Sequence, residues 1–179
     1  MLRLSGASTG APQPGASTPE ARQAASSQPV GTPAEGSPGA PPYPTAESVT
    51  PSEVGSIAEA NGVPPSLAKA IAYQESGFNN NLTSSADARG VMQILPGTWN
   101  WIGENLAGST PLEPASAASN VRGGVLLLHS LLNATGGNEG LAAAGYYQGL
   151  PSVLQNGEYP STQQYVGNVH ALQEQFGGG

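Results

Sequence analysis

The sequence predicts an all-α domain behind an unstructured stretch. After residue 50, apolar residues recur at helical spacing, as in Leu67, Ala70, Ile71 and Gln74, or Val121, Val125, Leu128 and Leu132. Alternating, strand-type patterns are nearly absent, and no repeat of solenoid period appears. Residues 1 to 48 are mostly Gly, Pro, Ala, Ser and Thr. So few large apolar residues cannot build a core that offsets the entropy of ordering. The expected organisation is a disordered linker or tail at 1–48 and one compact domain at 49–179.

Each helix carries its own signal. Thr50-Pro51-Ser52-Glu53 combines a capping residue, Pro at the first helical position and Glu three residues after the cap. Val54, Ile57 and Ala58 form the stripe of this helix, and Asn61-Gly62 ends it. Pro64-Pro65-Ser66 opens the second helix, which runs to Glu75, just before Ser76-Gly77. Residues 79–89 read as a polar loop. Ile94–Leu106 reads as a third helix, with Trp99, Ile102 and Leu106 as apolar contacts. Thr110 to Pro114 is a break. Ser116–Leu132 is apolar nearly all round, which marks a central buried helix. Its Gly123-Gly124 pair would let another helix approach closely. Asn138–Tyr147 is the next helix, broken by Gln148-Gly149-Leu150-Pro151. Ser161–Phe176 is the last.

Composition narrows the function. Net charge is −7 and only five of 179 residues are Lys or Arg. So few cations cannot assemble a nucleic-acid surface. The polar character comes from Asn, Gln, Ser, Thr and Gly, which suits a groove that binds neutral sugars by hydrogen bonds. There is no Cys, which excludes disulfides, thiolate metal sites and Cys nucleophiles. His129 and His170 have no metal-spaced companions and read as structural. No metal or organic cofactor is expected. No apolar run is long enough to insert in a membrane, and Met1-Leu2-Arg3-Leu4-Ser5 lacks the apolar region of a signal peptide.

One acid stands out. Glu75, in Ala72-Tyr73-Gln74-Glu75-Ser76-Gly77-Phe78, closes an apolar helical run. Burial and the negative end of the helix dipole both disfavour a carboxylate there. A carboxyl so placed can stay protonated near neutral pH and donate its proton, as cleavage of a glycosidic bond requires.

Three segments then fit together: Glu75-Ser76-Gly77-Phe78; Ala88-Arg89-Gly90-Val91-Met92-Gln93; and Ala144-Gly145-Tyr146-Tyr147-Gln148-Gly149, followed by Thr162-Gln163-Gln164-Tyr165-Val166. In this order and spacing, residues 50 to 176 resemble the lytic transglycosylase family of the goose-type lysozyme-like superfamily. The resemblance implies a lysozyme-like fold with Glu75 as the catalytic acid. It implies that Met92 and Gln93 line a saccharide groove and that Ser84 is a loop serine near substrate. It makes Tyr146 the tyrosine that holds the catalytic carboxyl, and puts Tyr165, of the late Tyr-Val motif, near the same site. Ser76, Tyr147 and Gly149 join this substrate-binding set. The third segment departs from the family's Ala-Tyr-Asn-x-Gly pattern, because Tyr147 stands where the asparagine is expected.

The implied reaction is cleavage between N-acetylmuramic acid and N-acetylglucosamine in peptidoglycan, leaving 1,6-anhydro ends and using a single carboxyl. A hydrolytic muramidase of the same fold would need a second acid, for which Asp87 is the best placed and Glu104, Glu113 and Glu139 are the others. An inactive wall-binding domain is the third reading, motivated by the altered segment and the tether. The expected partner is the peptidoglycan glycan strand, with no nucleic acid and no membrane insertion. The chain is expected to act as a monomer, outside the cytoplasm or at the wall, with an anchor or wall-binding module possible upstream.

Overall fold

The computed structural model describes residues 42–177. The expected tether therefore lies, up to residue 41, outside the described residues. Residues 42–48 run along the folded part instead of trailing from it. The Tyr43 N–H donates to the Pro114 carbonyl at 3.2 Å. Glu47 Oε2 accepts the Ala117 N–H at 2.6 Å, and the Arg89 guanidinium donates to the Pro42 carbonyl at 3.0 Å.

Seven helices and no strand occur among the described residues: α1 Pro51–Ala60, α2 Pro65–Ser76, α3 Pro96–Asn105, α4 Ala117–Ala134, α5 Glu139–Gln148, α6 Leu150–Asn156 and α7 Pro160–Gly177. The all-α expectation holds. Three isolated antiparallel bridges, Ser48 with Asn79, Thr83 with Arg89 and Arg89 with Ile94, tie the long α2–α3 connection together.

The helix ends lie close to where the sequence puts them. Thr50 and Glu53 form a reciprocal capping box with Pro51 behind it. Gly77 ends α2 in the left-handed region at φ 64°, and its N–H returns to the Tyr73 carbonyl at 2.8 Å. Ser116 and Asn138 cap α4 and α5 through side-chain oxygens. Helix α3 starts two residues later than the pattern suggests. Leu95 precedes Pro96 and is held extended at ψ 145°, as residues before proline are. Helix α6 is not anticipated by the sequence pattern. It has seven residues and buries only Val153, so it shows no apolar stripe.

Helix α4 touches α1, α2, α3 and α5, while α2 packs mainly on α1 and α7. The core includes Leu67, Ile71, Val91, Met92, Ile102, Val121, Val125, Leu128, Val169 and Leu172. Trp99 is buried in it, so it packs inward as most helix-face Trp residues do. The paired glycines of α4 admit a neighbouring helix, α3 through Trp99, and the turn that precedes it. A Cβ on Gly124 would lie 2.7 Å from Met92 side-chain atoms, and one on Gly123 would lie 3.2 Å from Ile94 and Trp99. The pair seats the Gly90–Ile94 turn and one aromatic ring.

Candidate active site

The site is built around an irregular buried turn. Residues Gly90 to Gln93 leave helix and sheet geometry, yet all four are buried. Their backbone groups must therefore find partners outside any ladder. They do so through side chains drawn from three helices and a loop. From α2, Ser76 Oγ donates to the Val91 carbonyl at 2.7 Å. From the loop, Asn80 Oδ1 accepts the Val91 N–H at 3.3 Å. From α4, Asn120 Oδ1 accepts the Met92 N–H at 2.8 Å, while its amide donates to the Arg89 carbonyl at 3.1 Å. From α5, the Tyr146 hydroxyl donates to the Met92 carbonyl at 2.8 Å. The Gly90 N–H donates to the Leu82 carbonyl, and the Gly90 carbonyl accepts the Gln93 N–H. Every backbone N–H and C=O of Gly90, Val91 and Met92 is thereby paired.

Gly90 is required at its place in this turn. Its φ is +77°, and a Cβ there would lie 2.4 Å from Asn120 Nδ2 and 2.8 Å from Asn80 Oδ1. Gln93 adopts φ +48°. Its amide turns back on the chain, donating to the Gly90 carbonyl at 2.9 Å and the Leu82 carbonyl at 3.2 Å.

Glu75 lies one residue before the end of α2 and is 7% exposed. The Tyr165 hydroxyl, from α7, donates to Glu75 Oε1 at 2.8 Å across ninety residues of sequence. The Tyr165 ring is itself stacked on Tyr147 of α5, with centroids 4.4 Å apart and planes 19° apart. Helices α2, α5 and α7 thus converge on one carboxyl. Its neighbour in sequence, Ser76, hydrogen bonds to the turn, so acid and turn are mechanically one unit.

The sequence that builds this arrangement matches a known family. The transglycosylase SLT domain family matches residues 53–166, which include Glu75, the buried turn and Tyr165. The chain belongs to the transglycosylase SLT domain family.

Solved lytic transglycosylases share the fold of this SLT domain. Lytic transglycosylase Slt from Pseudomonas aeruginosa, solved as an inactive glutamate-to-glutamine mutant, matches with TM-score 0.63 and 26% identity over 71% of this chain and 24% of that one. The 70-kDa soluble lytic transglycosylase from Escherichia coli matches with TM-score 0.62 and 26% identity, again over 71% and 24%. A 70-kDa soluble lytic transglycosylase in complex with bulgecin A gives TM-score 0.63 and 25% identity over 70% and 23%. This chain spans about a quarter of the length of each, from the 24% and 23% covered.

Within the SLT domain, the expected site residues take distinct places. Glu75, Ser76, Met92, Gln93, Tyr146, Tyr147 and Tyr165 are joined through the contacts above. The Tyr165 hydroxyl donates to Glu75 Oε1, and the Tyr146 hydroxyl donates to the Met92 carbonyl in the turn that Ser76 anchors beside the acid. Met92, expected along the groove, is fully buried against Gly124, so its side chain is a core residue in this arrangement. Ser84 accepts the Ala86 and Ala88 N–H groups at 3.3 and 3.1 Å, which shapes the loop turn before Arg89. Gly149 is buried at the α5–α6 junction with φ 88°.

Asn80 and Asn120, each 2% exposed, are functional supports that the sequence pattern does not single out. Asn120 has a signal, as a polar residue inside the otherwise apolar α4 run. Asn80 sits in an Asn-rich loop segment, where nothing distinguishes it from Asn79 and Asn81. No group of three or more His, Cys, Asp or Glu side chains that could hold a metal occurs among the described residues. No described helix is long and apolar enough to cross a membrane.

Proposed function

We propose that this SLT domain cleaves the glycan strands of peptidoglycan by a transglycosylase reaction, with Glu75 as both acid and base. The observation that carries this reading is the setting of Glu75: buried, at the negative end of α2, with a tyrosine hydroxyl on its carboxyl. Burial and the dipole favour the neutral acid, whereas donation from Tyr165 favours the carboxylate. The opposed effects suit a group that must give up a proton and take one back in the same turnover.

The neutral Glu75 carboxyl protonates the oxygen bridging N-acetylmuramic acid and N-acetylglucosamine. The glycosidic C–O bond breaks and positive charge develops on the muramoyl ring. The substrate's own N-acetyl carbonyl stabilises that charge. Tyr165 stabilises the carboxylate left on Glu75. This carboxylate then takes the proton from the C6 hydroxyl, whose oxygen attacks the anomeric carbon and closes the 1,6-anhydro ring. Glu75 ends protonated, and no water is consumed. The Gly90–Gln93 turn, anchored by Ser76, supplies a rigid wall beside the acid.

Asp87 supports the single-acid reading. Both of its oxygens are taken by the Arg89 guanidinium, at 2.9 and 3.0 Å, and it is largely solvated. A carboxylate paired in this way is poorly placed to activate water for a muramidase. Peptidoglycan lies outside the cytoplasm, so we take the domain to act there. The test is release of soluble fragments from purified peptidoglycan by wild type and Glu75→Gln. Loss of release in Glu75→Gln, with an unchanged far-UV spectrum, is the expected result. Full activity in that variant would overturn the mechanism.

A further inference from the structure

The third sequence segment departs from the family pattern at one residue, and that residue touches the machinery. Tyr147 stands where the pattern carries asparagine. It is 5% exposed, which leaves it little surface to offer a saccharide. Its ring lies flat on the ring of Tyr165, 4.4 Å between centroids and 19° between planes. Tyr165 in turn donates to Glu75 Oε1 at 2.8 Å. The three groups form a chain: ring on ring, then hydroxyl on carboxyl.

A second observation shows that the end of α5 is built to hold α7. Gln148, next to Tyr147, is fully buried and satisfies both ends of its amide. Its Oε1 accepts the Tyr159 N–H at 3.1 Å and the Thr162 hydroxyl at 2.6 Å. Its Nε2 donates to the Gly157 carbonyl at 2.9 Å and to Ser152 Oγ at 3.1 Å. Thr162 lies three residues before Tyr165, on the same face of α7. Gln148 therefore fixes the first turn of α7, and Tyr147 fixes the ring one turn later. The Tyr165 hydroxyl sits at the tip of a side chain with two rotatable bonds. Locking the helix alone does not lock the hydroxyl; a ring stacked on its face does. An asparagine at 147 has no ring with which to do this.

We propose that Tyr147 is a positioning residue of this site, whose ring fixes Tyr165 so that the Tyr165 hydroxyl stays on the Glu75 carboxyl. The proposal rests on the reading of Glu75 as the catalytic group. Its consequence is that the effect of the Tyr147 ring on turnover passes through Tyr165.

The experiment compares wild type, Tyr147→Phe, Tyr147→Leu, Tyr165→Phe and the Tyr147→Leu/Tyr165→Phe double variant on purified, uncrosslinked glycan strands. Tyr147→Leu should lower kcat by about ten- to a hundredfold, the range for misplacing a reacting group by up to an ångström, with KM little changed. Tyr147→Phe keeps the ring and should recover most of that loss. In the Tyr165→Phe background the same Tyr147→Leu change should cost less than about twofold, because coupled residues are not additive. An equal cost in both backgrounds would make Tyr147 a general packing residue and overturn the proposal. So would a Tyr147→Phe variant as slow as Tyr147→Leu. A raised KM at unchanged kcat would make Tyr147 a groove wall instead. If Tyr147→Leu does not fold, Tyr147→Met fills similar volume without a ring and takes its place. If wild type itself gives no turnover, the functional reading fails, and crystal structures of wild type and the ringless variant decide the positioning claim. A Tyr165 hydroxyl that has swung off the Glu75 carboxyl in the variant supports it; one still at 2.8 Å overturns it.

Discussion

Replacing Gly90 by alanine probes how the buried turn is held. The residue has φ +77°, and its Cβ would lie 2.4 Å from Asn120 Nδ2, 2.6 Å from Asn120 Cγ and 2.8 Å from Asn80 Oδ1. A left-handed backbone costs a non-glycine residue about 1 kcal/mol. Forcing a side chain into a packed space adds about 1–3 kcal/mol. Asn120 and Asn80 are backed by the core and cannot swing away without releasing the Met92 N–H, the Arg89 carbonyl or the Val91 N–H. Each buried group left unpaired costs about 1–3 kcal/mol. Gly90→Ala should therefore destabilise by about 4 kcal/mol, a fall in Tm of roughly 10–15 °C for a domain of this size. Thermal unfolding followed by far-UV circular dichroism measures it. Gly103 provides the control, because it is exposed on α3 with nothing within 4 Å of its Cβ. Gly103→Ala should stabilise by up to about 1 kcal/mol. A Gly90→Ala protein with wild-type Tm would refute this view of the turn, as would a Gly103→Ala protein destabilised equally.

Tyr165→Phe removes a hydrogen bond to a buried carboxyl and should lower kcat by about ten- to a hundredfold, since bonds to charged groups are worth about 1.5–3 kcal/mol. Losing a donor that favours the carboxylate keeps Glu75 neutral to higher pH, so the alkaline limb of the rate profile should move upward; a downward move would contradict the geometry. Asp87→Ala should leave the chemical identity of the products unchanged, as read by mass spectrometry, and a change would revive the two-acid mechanism. At the first helix, Thr50→Ala should cost about 1 kcal/mol in a denaturant melt. The Glu53 carboxyl is held below its ordinary value of 4.5 by the Thr50 backbone N–H and hydroxyl. Its contribution to stability is present above 4.5 and fades as pH falls through the lowered folded value. Wild type and Glu53→Gln should therefore converge in stability in acid and diverge at neutral pH.

The parts of this molecule legible in the sequence are those fixed by local chemistry. The Thr50-Pro51-Ser52-Glu53 box and the helix ends at Gly77, Ser116 and Asn138 each need only a few neighbouring residues, and each lies at or next to the boundary the pattern gives. Glu75 is legible because it ends an apolar run. A donor to its carboxyl is less so, because it comes from a distant helix. Tyr165 sits in a matched motif, and it is the packing of α2 on α7 that brings its hydroxyl to the acid. The place of Met92 depends on packing too. A Met beside a Gln suggests a groove, but Gly124 opens a slot in α4 that takes the side chain into the core. Asn80 and Asn120 act on backbone groups eleven and twenty-eight residues away, a relation no periodicity records. Helix α6 lacks the apolar stripe that makes a helix visible.

If one buried carboxyl both gives and takes the proton, no water enters the product. Mass spectrometry of fragments released from purified peptidoglycan in ¹⁸O-labelled water examines this point without intermediaries, with Glu75→Gln run beside wild type. A single-carboxyl transglycosylase gives 1,6-anhydro ends without label from wild type, and no fragments from Glu75→Gln. Reducing ends that carry ¹⁸O would show instead that the domain hydrolyses its substrate.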